Sequence, residues 1–299
     1  MKAPGRRLLS ILAYPAVMTG VMALALAGLR AGVSPPLVIV PLLAAVALIV
    51  LLLELALPYR EAWSRSHGDT LVDLALSVLG MASSEPTRLL LAAILAAPTH
   101  LLASAVGASP WPTRWPLLAQ LALALVLSEF GVYWIHRLQH RGGLLWRLHA
   151  VHHSAPRLYW LNNGRNHPLD VIVTILAMMA PLVLLGAGPD VITLLTIFAT
   201  SHAFFQHSNT DLHLGPLNWI LSAPEVHRFH HSRALTESNA NYGQTLLVWD
   251  IIFRTRHVPR DTEPPTDTGL HDSPDFPTSL TGQLASPFRS ALFTSRDHD

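Results

Sequence analysis

The chain contains no cysteine. Disulfides, iron–sulfur clusters, thiolate-ligated haem, cysteine zinc sites and cysteine nucleophiles are excluded together. Charge is also scarce, at 13% of 299 residues, against roughly 25% in soluble domains. Neither sign dominates: 20 Lys+Arg against 19 Asp+Glu leave a formal net charge of +1. That excludes a strongly basic nucleic-acid binder, so no nucleic-acid partner is expected. No Gly-x-Gly-x-x-Gly follows a strand, so a dinucleotide module is absent too. Apolar residues are abundant, at 51%, and the mean hydropathy is +0.36. Histidine is in excess as well: 17 in the chain, twelve of them from His136 to His231.

About 20 apolar residues span a hydrocarbon core as a helix. Leu8–Leu29, Leu37–Leu57, Thr87–Val106 and Trp115–Ile135 meet that length. Val171–Leu185 and Val191–Phe205, joined by Gly186-Ala-Gly-Pro-Asp190, read as a short hairpin dipping into the bilayer. Leu71–Met81 is too short to span and is expected at the interface. The fold class expected is therefore an all-α integral membrane protein, with about four transmembrane helices and a membrane hairpin. Lys2, Arg6 and Arg7 before the first run imitate a secretory signal. The run exceeds the roughly 7–15 residues of a signal h-region, so a retained helix is expected. Counting crossings places Arg6, Arg60, Arg65, Arg137, Arg141, Arg147, Arg157 and Arg165 on one side. The positive-inside rule makes that side cytoplasmic. Three segments follow: transmembrane helices over 1–114, a catalytic domain over 115–257, and a polar Pro-rich tail without its own core over 258–299.

The histidines fall into clusters. His136-Arg-Leu-Gln-His140 has i, i+4 spacing, which puts two imidazoles on one helix face. His149-Ala-Val-His-His153 and His227-Arg-Phe-His-His231 are i, i+3, i+4 triangles, offering His149, His152, His153, His227, His230 and His231. Ser222-Ala-Pro-Glu225 has the capping-box pattern before the second triangle. His202 and His207 are five apart and cannot point at one metal on a regular helix, and His207, at the helix end, is the better candidate. His167 precedes Pro168 at a helix entrance, where capping competes with ligation. The isolated His67, His100, His257, His271 and His298 read as ordinary hydrogen-bonded residues.

Imidazole suits Zn, Cu, Fe and Ni. Nine candidate ligands exceed one tetrahedral zinc site, whereas two octahedral irons would still leave positions open. Rival readings are a metal transporter, a haem electron carrier and an inactive lipid-binding relative. A transporter would carry ionisable groups mid-membrane, but the long spans hold chiefly Glu54 and Glu129. A haem carrier would leave the triangles unexplained.

The order HxxxH, HxxHH, an intervening histidine, HxxHH, then Asn241-Tyr-Gly243 and Trp249-Asp250 resembles the fatty-acid hydroxylase/sterol desaturase superfamily. The likeness covers about Ser128–Thr255 and looks most like the bacterial sterol-desaturase-like and alkylglycerol-monooxygenase branch. Departures are Glu129, where the family often has Asp, and Phe253-Arg-Thr255 in place of Phe-Gly-Thr. The resemblance implies a membrane oxygenase with two histidine-held irons facing the cytoplasm. It would use O2 to hydroxylate or desaturate an unactivated C–H bond of a sterol-like, ether-lipid, carotenoid or fatty-acyl substrate. Glu129, Asn209, Asn241 and Asp250 are candidates to receive the second N–H of ligating histidines. Electrons must come from a ferredoxin or cytochrome with its reductase. The arginines Arg137, Arg141, Arg147, Arg157, Arg228 and Arg233 offer a basic docking surface, and a bacterial inner membrane is the expected location.

Overall fold

The computed structural model describes residues 4–259, 262–271, 273 and 275–293, so Lys2 and His298 lie outside the described residues. Its main helices are α1 (Pro4–Arg30), α2 (Pro35–Ala56), α3 (Thr70–Val106), α4 (Leu117–Gln139), α5 (Gly143–His153), α6 (Pro168–Leu185), α7 (Pro189–His207) and α8 (Pro224–His230). Among the described residues extended backbone pairs only in isolated bridges. Helices α1, α2, α3, α4 and α6 are each long and apolar enough to cross a membrane. Their outer faces leave large apolar side chains uncovered, Leu37, Leu71 and Met81 among them, as contact with lipid requires. The chain is an all-α membrane protein.

The expected break between Leu71–Met81 and Thr87–Val106 does not exist. Both belong to α3, whose 37 residues extend about 55 Å. The polar run Ser83-Ser-Glu-Pro-Thr87 reads as an interruption, yet its hydroxyls turn back onto the helix. Ser83, Ser84 and Thr87 donate to the carbonyls of Leu79, Gly80 and Ser83 at 2.8, 2.8 and 2.7 Å. Polar groups satisfied inside the helix do not end it. The first arm of the expected hairpin, α6, is itself long enough to span. It stops at Gly186, held left-handed at φ 78°, and Pro189 opens α7.

Helix ends alternate between two levels. At one, His213 N–H donates to Ser10 O (3.0 Å) and Tyr59 N–H to Asn209 O (2.9 Å). Thus the start of α1 and the ends of α2 and α7 lie together. At the other, Thr99 Oγ1 donates to Val183 O at 3.1 Å, joining α3 to the end of α6. All the histidine clusters lie at the first level. One apolar core runs from Ala13 through α2, α4, α6 and α7 to Ala223. The tail shares a small second core with α5, where Leu270 and Phe293 meet Ala150 against Trp146 and Phe276.

Helix α6 is gripped between α3 and α4. A Cβ on Gly131 of α4 would stand 1.9 Å from Ala177 O of α6. Only a residue without a side chain permits that crossing. Gly131→Ala should therefore destabilise the protein by about 1–3 kcal/mol, read as a lowered Tm in detergent. Gly20→Ala, which meets nothing within 4 Å, should leave Tm unchanged. An unaltered Gly131→Ala protein would contradict the close packing.

Candidate metal centre

Two groups of buried or half-buried histidines form where α4, α5, α7 and α8 end together. One comprises His136, His140, His149, His153 and His230, and the other His152, His207, His227 and His231. In each group the ligand atoms lie within 4.8 Å of one another. Each triangle is divided. The i, i+4 members His149 and His153 serve the first group and His152 the second. His227 and His231 serve the second group and His230 the first. Each short helix thus runs between two points and feeds both. His207 joins the second group alone. His202 is tied away by Tyr14 Oη (2.8 Å) and Ser222 O (3.1 Å).

Ring orientation is set from behind. A carbonyl or carboxylate only accepts, so Nδ1 carries the proton where such a partner faces it. His136 Nδ1 donates to Tyr242 O (2.7 Å), His230 Nδ1 to Ala240 O (2.8 Å) and His152 Nδ1 to Arg165 O (3.3 Å). His149 Nδ1 donates to Asp170 Oδ2 at 3.0 Å. Their Nε2 lone pairs consequently face inward. His136 Nε2 stands 3.0 Å from His149 Nε2 and 2.9 Å from His230 Nε2. In the second group His207 Nε2 is 3.2 Å from His152 Nε2 and 3.1 Å from His227 Nε2, which is 3.0 Å from His231 Nε2. Buried His140 Nε2 and His153 Nε2 have no hydrogen-bond partner. Lone pairs this close repel unless a cation lies between them. For a metal–nitrogen bond of about 2.1 Å, ligands at right angles stand about 3.0 Å apart and tetrahedral ones about 3.4 Å. The observed spacings of 2.9–3.2 Å lie in this range, so each group suits one metal ion.

Burial and neighbouring imidazoles hold His140, His152, His153, His227 and His231 well below the ordinary histidine range, and His230 is pushed down to about 3. All stay neutral at pH 7, the form that binds metal.

The other expected site residues act elsewhere. Glu129 accepts from Gln244 N (2.5 Å) and Thr245 N (3.0 Å), pinning the loop after α8 to α4. Asn209 exchanges hydrogen bonds with Arg60 N and O at 2.9 Å each, and Asn241 with His257 N (2.8 Å) and O (2.7 Å). None of the three meets a histidine ring of either group. Asp250 accepts from Tyr242 N (2.8 Å) and Gly243 N (2.7 Å), so it steadies the carbonyl that holds His136. The residue that sequence reasoning missed is Asp170, the carboxylate on His149, itself held by Gln139 Nε2 at 2.6 Å. An acidic residue in the first turn after the His167-Pro168 pair, between two triangles, was the available signal. His167 caps α6, accepting from Leu169 N at 3.2 Å. The capping box before α8 does not form. The helix starts at Pro224 with Ala223 as its N-cap, and Glu225 turns to Leu214 N (2.8 Å) and Asn218 Nδ2 (2.7 Å).

Two openings reach the histidines. A cavity of about 250 Å³ between α3, α4, α6 and α7 is lined by His136, His149, His152, His207 and His227. A separate small pocket of about 30 Å³ reaches His140 and His153 past Trp146.

The sequence model described as fatty acid hydroxylase matches residues 121–255. The ornithine lipid hydroxylase OlsE of Rhizobium tropici is 36% identical over 248 residues, covering 80% of this chain and 72% of that protein. Alkylglycerol monooxygenase of Homo sapiens is 33% identical over 146 residues, 49% of this chain and 32% of the human protein. The very-long-chain aldehyde decarbonylase GL1-8 of Oryza sativa subsp. indica is 29% identical over 161 residues, 52% of this chain and 58% of the rice protein. The chain thus spans most of the bacterial relative and only a third of the human one. No solved structure matches the chain significantly.

The depressed histidines make stability pH-dependent. As pH falls below about 6.5 the unfolded chain takes up protons first and is favoured. The metal-free protein should therefore keep a constant Tm from about pH 8 to 7 and lose stability progressively from about pH 6.5 towards 4. A profile flat across that window would contradict the burial of neutral imidazoles.

Proposed function

The chain belongs to the fatty acid hydroxylase family, and from that we propose that it is a membrane-bound, O2-dependent lipid hydroxylase or desaturase using two iron ions. The observation that carries this reading is the gathering of histidines into two adjacent groups, both reached by one cavity from between apolar helices. His136, His140, His149, His153 and His230 would hold one iron, and His152, His207, His227 and His231 the other. The chemistry supplied by the bound irons is reduction of O2 and oxidation of an unactivated C–H bond. Hydroxylation consumes one O2, two electrons and two protons per C–H bond and releases water with the alcohol. Desaturation consumes the same and releases two waters with the alkene.

The protein's own part is geometric. Asp170 and the carbonyls of Tyr242, Ala240 and Arg165 fix the rings, which leaves Nε2 free to ligate. Glu129, Asn241 and Asp250 pin the loop that carries two of those carbonyls. The apolar walls of the cavity (Val132, Ile175, Met179 and Leu195) hold a lipid chain and exclude water. The relatives' names speak of ornithine lipids, alkylglycerols and very-long-chain aldehydes. An ether-lipid or acyl-lipid substrate for this chain is in keeping with them.

The site faces the cytoplasm of a bacterial inner membrane in this reading, because Arg6, Arg7, Arg60, Arg65 and Arg141 all lie at the histidine level. Electrons come from a ferredoxin or cytochrome docked there. The docking surface is narrower than six arginines. Arg157 is buried on Asp69 (2.8 Å), Arg228 is buried over the Tyr59 ring (3.8 Å), and Arg233 pairs with Asp267 (3.1 Å). Arg137 donates to Tyr133 Oη (3.0 Å) beside the Trp134 ring, so Arg141 and Arg147 remain, around the α4–α5 turn beside Trp146.

Metal analysis tests the core of the reading. The iron-loaded protein should carry about two ions per chain. His153→Ala or His231→Ala should each drop one group's occupancy and abolish lipid oxidation. His100→Ala, on the far part of α3, should do neither. Activity without bound metal would overturn the assignment.

Turnover should need a reductase–ferredoxin or reductase–cytochrome pair, and weaken as salt rises, because exposed charges are screened beyond roughly 8–10 Å. Replacing Arg141 and Arg147 by Gln should raise the apparent KM for the donor severalfold and leave the lipid KM unchanged. Sustained turnover on NADPH alone would refute the donor requirement.

A further inference from the structure

Arginine inside a membrane-spanning helix is costly and needs a reason. Arg88 lies in the apolar second half of α3 and lines the cavity that reaches the histidines. Ser77, Gly80, Met81 and Arg88 all face that cavity, and their spacing of three, four and seven residues makes them one stripe of the helix. Gly80 packs against Val171 near the start of α6. Arg88 lies eight residues further, about 12 Å along the helix axis. It stands away from the histidine end, where Asp170 holds His149.

Its guanidinium is poorly answered by protein. Glu85 approaches NH1 only to 3.7 Å, and its side chain is 67% exposed. Such an open i, i+3 pair contributes little. Nε of Arg88 is buried with no hydrogen-bond partner, an omission that carries a real cost. The cavity wall is mixed, with Thr174, Thr196, Thr200 and, at the Ser77 end, Asn163 among apolar side chains. A wall of this kind suits an amphiphile better than a bare hydrocarbon. At about 250 Å³ the space falls below the roughly 300–1,000 Å³ of pockets that enclose whole drug-sized ligands. Only part of a lipid enters, and the remaining chain stays in the bilayer.

We propose that Arg88 is the anion-binding residue of this cavity, and that the lipid taken up carries a carboxylate or phosphate. A guanidinium holds either oxyanion through paired N–H groups. The acidic group would be anchored at Arg88 and a carbon at a set distance from it brought to the histidines. This inference rests on the cavity being the lipid site of the proposed oxygenase.

Binding to the metal-free protein in a neutral sugar detergent at about pH 8 tests it separately from catalysis. The probes are lauric acid, lauroyl lysophosphatidic acid and neutral monolaurin. Wild type should bind one or both acidic probes at least about tenfold more tightly than monolaurin. The probe preferred tells carboxylate from phosphate. Arg88→Gln should remove that preference and keep monolaurin affinity within about twofold, which also shows the cavity is intact. Arg88→Lys should restore part of it, and the exposed Arg114→Gln none of the loss. If wild type binds all three probes alike, or Arg88→Gln keeps the acidic preference, the anion site is refuted and the oxygenase reading stands. If no probe binds at all, the lipid cavity itself fails and takes both with it.

Discussion

Imidazole nitrogens with inward lone pairs, crowded to 2.9–3.2 Å of each other, repel unless something positive lies between them. A proton is a poor answer here, because burial keeps these rings neutral. A metal ion between the rings would resolve the repulsion in both groups. The rings cannot turn away to relieve it, since Nδ1 of four of them is bound from behind. The surrounding architecture is organised around holding that unfavourable arrangement in place.

The holding is done by buried polar groups that tie loops to helices. Glu54 of α2 accepts from Trp160 N (2.7 Å) and Asn209 N (2.8 Å), joining two connections that flank the site. Asp69 and Asp73 at the start of α3 receive Arg157, Arg165 and Tyr159 from the segment between α5 and α6. Glu129 does the same for the loop after α8. Glu54, Asp69 and Asp73 sit near the ends of their helices, where both a charge and a backbone amide are available to pair, while Glu129 lies deeper, within α4. Short helices such as α5 and α8 have little packing of their own and depend on these ties.

The site also has two separate openings. The larger cavity opens among helices with lipid-facing surfaces, and the small pocket past Trp146 is walled by Ser232, Arg233, Asn239 and Leu270. The two openings reach different histidines: His136, His149, His152, His207 and His227 line the larger, and His140 and His153 the smaller.

Much of this was legible in the chain itself. Membrane helices announce themselves because bilayer thickness imposes a length and composition on each one. Eight of the nine histidines were identifiable from the HxxxH and HxxHH spacings, a property local to one helix, and His207 from its place at a helix end. What could not be read is which ring serves which group: His152 and His230 leave their triangles because α5 and α8 pass between the two centres, and that depends on tertiary placement. The partners of Nδ1 are mostly backbone carbonyls, Tyr242 O standing 106 residues from His136. A carbonyl is identical at every residue and leaves no mark in sequence. For the same reason Glu129, Asn209 and Asn241 were credited with histidines and turned out to bind backbone. Polar Ser83–Thr87 did not break α3, because hydroxyls satisfied by their own helix are indistinguishable in sequence from those that stop one. Composition and period determined the membrane, the metal-binding residue type and the candidate ligands. Only the folded chain decided their division into five and four, since that division is a matter of where helices end relative to one another.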